Sequence, residues 1–142
     1  MFRICKGMTS KIDLSTYQTK NHTYTGFLTM TWAMIADIDI ESECIRFLGV
    51  LRNDLWGAWR VLNLRSYKAK LSYLPPSKVA EKESEASYIF PTLNENVGSD
   101  WITIEDDFIL FWASQVTHAA HNVLQSPDSK LADGLFRIWF VR

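Results

Sequence analysis

Two carboxylates two residues apart, Asp37 and Asp39, stand just before two arginines suited to phosphate chemistry, Arg46 and Arg52, with Glu43 between the two sets. On an extended strand the two acids share one face, roughly 6.5–7 Å apart. That separation suits a polar head group, or one acid capping a helix while the other binds; the residues alone favour helix capping plus a solvated edge. The guanidinium forks of Arg46 and Arg52 match phosphate oxygens. On an unbroken helix they point about 120° apart. Both reach one ligand only if Gly49 breaks the helix or one of the two lies beyond its end; spacing alone favours surface salt bridges such as Glu43 to Arg46. His118 and His121 lack a third ligand, so no metal site is expected. Ser114 and His118 lack a nucleophile elbow, and no glycine-rich phosphate loop occurs.

The elements that must position these groups follow from periodicity. Thr23 to Ile40 alternates, with Tyr24, Leu28, Met30, Trp32, Met34, Ile38 and Ile40 on one parity and Thr29, Thr31, Ile35, Asp37 and Asp39 on the other. A period of two predicts a long strand, bent at Gly26 or bulged near Ala33. Ile45, Leu48, Leu51, Leu55, Trp59 and Leu62 then recur every three or four residues, predicting a helix over about 42–62 with one buried face. Asp39 or Ser42 would cap it. Lys11 to Gln18 reads as a short strand that pairs with the long one as a hairpin. Tyr67 to Tyr73 alternates and stops at Pro75-Pro76. Residues 77–99 read as a surface loop insertion holding a short strand at Tyr88–Phe90. Strands at Trp101–Ile104 and Phe108–Trp112 flank an acidic corner at Glu105–Asp107. Residues 118–127 read as loop or short helix, Asp133-Gly134 as a turn, and Leu135–Val141 as the last strand. The fold class is α+β, mostly β: an antiparallel β-sandwich-like lobe with one main helix.

Composition narrows the classes. The 142 residues are one domain's worth, 47% apolar with six tryptophans, against disorder. A net charge of −1 with dispersed Lys and Arg gives no field for nucleic acid. Two cysteines make no disulfide framework, which fits a reduced, cytoplasmic setting. No apolar run approaches the ~20 residues that cross a bilayer, so any membrane contact is expected to be peripheral.

The stretch from Thr31 to Arg52, TWAMIADIDIESECIRFLGVLR, resembles the sphingosine kinase pattern W-G-[FL]-[IV]-[AS]-D-[VI]-D-[IL]-E-S-E followed by two spaced arginines. LNLRSYKAKLSYLP, the acidic strand through Phe108 and the terminal Phe140-Val141-Arg142 resemble later strands of the same family of diacylglycerol kinase-like lipid kinases. The likeness covers most of the chain except residues 77–99. It implies the C-terminal, lipid-binding lobe of a kinase whose N-terminal nucleotide-binding lobe, with its S-G-D-G base motif, is absent from this chain.

The resemblance also implies roles. Asp39 would hold the amino-alcohol head of a sphingoid base, with Thr29 assisting. Met34, Ile35 and Phe108 would line the channel for the alkyl chain. Arg46 and Arg52 would contact ATP phosphates, and Glu43 the ribose. ATP and Mg would be held mainly by the other lobe, and no catalytic residue falls in this chain, which alone is expected to be inactive. Ala33 departs from the family's usual Gly. The implied partners are a sphingoid-base lipid and a membrane surface, and a homodimer is compatible. A diacylglycerol or ceramide kinase-like lobe and a non-catalytic lipid-binding domain are the alternatives.

Overall fold

The computed structural model describes residues 6–83 and 91–142. In chain order these form β1 (Ser15–Gln18), β2 (Thr23–Gly26), β3 (Thr29–Ala33), α1 (Met34–Glu41), a 3-10 segment (Ser42–Leu48), α2 (Leu51–Leu62), β4 (Tyr67–Tyr73), α3 (Pro76–Glu83), β5 (Ile102–Phe108), β6 (Leu110–Ser114), β7 (His118–Ala120), β8 (Val123–Leu124) and β9 (Arg137–Val141). The strands form four small sheets, and the class is mostly-β α+β as the sequence indicates. The chain divides into two compact units, residues up to Thr29 with Ser114–Arg137, and Met30–Ala113 with Ile138–Arg142.

In the first unit β1 and β2 pair antiparallel with Tyr17 opposite Tyr24. The expected turn is closed by Thr19, whose hydroxyl donates to the His22 carbonyl and accepts from its N–H. The bend falls at Gly26, where an added Cβ would lie 2.9 Å from the Tyr17 ring. β7 and β8 form a hairpin where loop or helix was expected. Gly134 takes φ 68°, a left-handed turn conformation glycine adopts without penalty. Its N–H donates to Asp13 Oδ2 at 2.6 Å.

The second unit is built on two facing sheets, β3–β6–β9 and the antiparallel pair β4–β5. Aromatic rings fill the space between them. Trp32 meets Tyr67 at 5.6 Å and Phe108 at 6.4 Å, and Phe108 meets Phe140 at 5.8 Å. These tilted and edge-on rings are the sandwich-like core, and Phe108 is 1% exposed. β5 runs straight through Glu105–Asp107 rather than turning there. The reason is cross-strand charge: Lys70 stands opposite Glu105 and Lys68 opposite Asp107.

Three further expectations need correction. The long strand ends at Ala33, and residues 34–41 are helical. The helix expected over 42–62 is broken, 3-10 to Leu48 and α-helical only from Leu51, with Gly49 at φ 59° between them. Its apolar stripe is not a buried face: Leu51, Leu55, Trp59 and Leu62 are exposed, because the opposite face turns to α1. Within residues 77–99, Pro76–Glu83 is a helix, with Pro at a position that needs no N–H. The strand expected at Tyr88–Phe90 lies outside the described residues.

The switch from strand to helix is made at Ala33, which is buried and holds φ 62°, ψ −130°. An L-residue pays about 1–3 kcal/mol for such a conformation. Replacing it by Gly removes that strain but loses a buried methyl and adds unfolded-state entropy, each below about 1 kcal/mol. Ala33→Gly is therefore expected to stabilise the chain by about 1 kcal/mol in urea denaturation. A lower stability would show that the backbone here is unstrained.

Candidate functional site

α1, the 3-10 segment and α2 form a helical hairpin that doubles back at Gly49. Its two arms are joined by polar rungs in antiparallel register. Asp37 pairs with Arg60, whose Nη2 donates to Asp37 Oδ2. One turn on, Glu41 Oε2 accepts from Trp56 Nε1 at 3.0 Å and lies 3.7 Å from Arg60 Nε. Next, Ser42 Oγ donates to Asn53 Oδ1 at 3.2 Å, and Glu43 Oε1 accepts from Arg52 Nη1. A step of four on one arm is answered by a step of four back on the other, the i, i+4 face of each helix. Tyr67 Oη also donates to Asp37 Oδ2 at 2.7 Å, and Arg65 donates to Glu41 at 2.8 Å.

Helical rather than extended geometry separates the two aspartates. At 100° per residue, Asp37 and Asp39 point about 160° apart, not to one face. Asp37 turns inward to a guanidinium that is 2% exposed. Asp39 faces out, exposed, and among the described residues its carboxylate has no protein partner. Neither the Asp39 nor the Ser42 side chain caps a helix N-terminus; Ser42 instead ends α1 as its C-cap, its backbone N–H donating to the Ile38 and Ile40 carbonyls. Ser42 is fully buried and its hydroxyl serves as donor, also lying 3.4 Å from the Asp39 carbonyl.

The break at Gly49 brings together the two arginines that an unbroken helix would splay. Glu43 accepts from Arg52 through Oε1 and from Arg46 through Oε2 at 3.4 Å. Arg52 is largely covered, whereas Arg46 is 80% exposed. The result is a cationic pair at a chain reversal, neutralised in part by one carboxylate. The hydrogen bond from Arg52 holds the Glu43 carboxyl below its ordinary value, with both guanidinium charges adding to the effect. The Trp56 indole does the same for Glu41, reinforced by the Arg60 charge and the bond from Arg65.

These lowered values set an acid limit. A carboxylate with depressed folded pKa contributes stability above its unfolded value, near 4.5, and loses it as pH falls through the folded value. Glu41→Gln is expected to lower the melting temperature at pH 7. The gap to the unaltered chain should close as pH drops below about 4.5. A gap that stays constant down to pH 3 would remove the Glu41 contribution.

The second unit also contains an apolar cavity of about 160 Å³, lined by Met30, Trp32, Ala69, Lys70, Leu71, Phe108 and Phe111. Phe108 is among its lining residues. Met34 and Ile35 sit half-buried on α1 and are not among its lining residues. Thr29 opens β3, half-buried, and belongs to the first compact unit. The structure therefore joins Glu43, Arg46 and Arg52 into one cluster and leaves Asp39, Met34 and Ile35 outside both cluster and cavity lining. Sequence reading missed the structural use of Trp56, Arg60 and Tyr67. The signal was present in Arg52, Trp56 and Arg60, spaced by four.

Comparison with known proteins gives a consistent picture. No family model matches. The chain is 30% identical to human sphingosine kinase 1 over 155 residues, covering 98% of this chain and 39% of that protein. It is 29% identical to sphingosine kinase 1 of Arabidopsis thaliana over 145 residues, covering 92% of this chain and 30% of that protein. Sphingosine kinase B of Dictyostelium discoideum is 50% identical over 48 residues. The chain spans between about three-tenths and two-fifths of the length of the first two. With the acidic-arginine hairpin in place and the similarity running nearly end to end, the chain belongs to the sphingosine kinase family.

Proposed function

We propose that this chain is the lipid-binding lobe of an ATP-dependent kinase that phosphorylates the primary hydroxyl of a sphingoid base. The observation that carries the reading is the convergence of Arg46 and Arg52 on Glu43 across the break at Gly49. Two guanidiniums held at one reversal suit the oxygens of a transferring phosphoryl group, where fixed cations offset charge that spreads in the transition state. Glu43 keeps them preformed until phosphate oxygens replace its own. The other lobe supplies the base and most of the ATP and Mg²⁺ contacts.

Asp39 supplies the selectivity. It is the exposed carboxylate of α1, without a partner among the described residues, and a sphingoid base carries an ammonium that diacylglycerol and ceramide lack. The cavity against Phe108 and Trp32 is apolar and accommodates part of an alkyl chain.

The test is a phosphorylation assay on the full-length protein with sphingosine and diacylglycerol presented in the same mixed micelles. The expected result is at least a tenfold preference for sphingosine in kcat/KM, with Arg52→Ala raising KM for ATP on the order of tenfold. Binding of sphingosine without turnover would assign the chain instead to a non-catalytic lipid-binding protein.

A further inference from the structure

We infer that the part-buried Ser42–Asn53 hydrogen bond is a clasp that positions the arginine cluster, making Ser42 and Asn53 positioning residues for phosphate binding. The inference rests on the proposed kinase reading but concerns residues to which that reading gives no role. Ser42 is wholly buried, and its hydroxyl donates across the hairpin to Asn53 Oδ1 at 3.2 Å. Each member of this pair is the chain neighbour of a member of the ionic pair, Ser42 of Glu43 and Asn53 of Arg52.

Of the rungs, this one is nearest the Gly49 reversal apart from the ionic pair itself. After Glu43 the backbone is 3-10 to Leu48, with Ile45 at φ −113°, ψ 29°, then turns at Gly49, φ 59°, before α2 begins at Leu51. Such a segment has no continuous i to i−4 ladder to hold its shape. The two arms of the hairpin are fixed farther up by Asp37–Arg60 and Glu41–Trp56. Closer to the turn, a neutral hydrogen bond donated by a buried hydroxyl is what sets the separation of the arms. The Glu43 carboxylate is about half exposed, so water competes for it with Arg52 as well as Arg46, and the ionic pair does not fix the geometry by itself. Asn53 is exposed, so removing the Ser42 hydroxyl leaves no buried polar group without a partner.

The test is a double-mutant cycle of Ser42→Ala and Asn53→Ala, read in two ways. In the full-length protein each single change is expected to raise KM for ATP about fivefold, the size of one neutral hydrogen bond. The double variant should be no worse than either single one, while kcat and KM for sphingosine stay within twofold. In the 142-residue chain, the Arg52 Nε–H signal in nitrogen-resolved NMR should shift and exchange faster in both variants. A fall in melting temperature with KM for ATP unchanged would reduce the pair to a structural role and overturn the inference. So would additive effects in the double variant. Should the unaltered full-length protein fail to phosphorylate sphingosine, the kinase reading falls, and the Arg52 signal still decides whether the clasp holds that guanidinium.

Discussion

Arg60→Ala is expected to destabilise the chain by about 3 kcal/mol, the largest single effect on its stability. Arg60 is 2% exposed and is the cation shared by Asp37 and Glu41, which are half-buried. Its removal leaves two carboxylates facing one another across a turn of α1, with the Tyr67 hydroxyl, Trp56 and Arg65 as their remaining partners. Breaking a buried pair by deleting one member costs about 3–5 kcal/mol, and the partial exposure of the acids places this case at the lower end. Lysine would restore charge but not the fork that reaches both acids, so Arg60→Lys should recover less than half of the loss. Urea denaturation measures both, and a cost below 1 kcal/mol for Arg60→Ala would show that the hairpin is held by packing rather than by its polar rungs.

Asp39→Asn is expected to lower kcat/KM for sphingosine on the order of 100-fold in the full-length protein, while leaving the stability of this chain within about 0.5 kcal/mol. The stability half follows from geometry: the Asp39 side chain is exposed and, among the described residues, pairs with nothing. The activity half depends on what covers the site. A carboxylate that stays wet gains about 0–1 kcal/mol from an ammonium, or less than about fivefold. Covered by lipid and the second lobe, the same contact is worth about 2–5 kcal/mol. The size of the loss therefore measures desolvation at Asp39 as well as its role, and a loss below fivefold would say that the head group sits elsewhere.

Much of the β architecture was legible because its signals are local. Tyr67–Tyr73 alternates and ends at a proline pair, Ser15–Gln18 and Thr23–Gly26 flank a polar turn, and Asp133-Gly134 supplies a left-handed residue. Gly49 was legible as a break, and with it the condition under which Arg46 and Arg52 converge. Residues 34–41 were not. Met34, Ile38 and Ile40 alternate as a strand would, and what makes them helical lies far along the chain: Asp37 and Glu41 are spaced to meet Arg60 and Trp56. The acidic run at Glu105–Asp107 misled for a similar reason, since only the pairing with Lys68 and Lys70 makes it strand. The exposed stripe of α2 shows the limit of periodicity, which finds an apolar face without saying whether this chain buries it.

The most direct test of the central claim, that Asp39 receives the charged amine of a sphingoid base, pairs a residue change with a ligand change. Phosphorylation of sphingosine and of its N-acetyl derivative, which has no ammonium, is measured for the unaltered full-length protein and for its Asp39→Asn variant. The loss on Asp39→Asn should be on the order of 100-fold for sphingosine and less than about threefold for the N-acetyl derivative. Equal losses on both substrates would contradict a contact between that carboxylate and the amine.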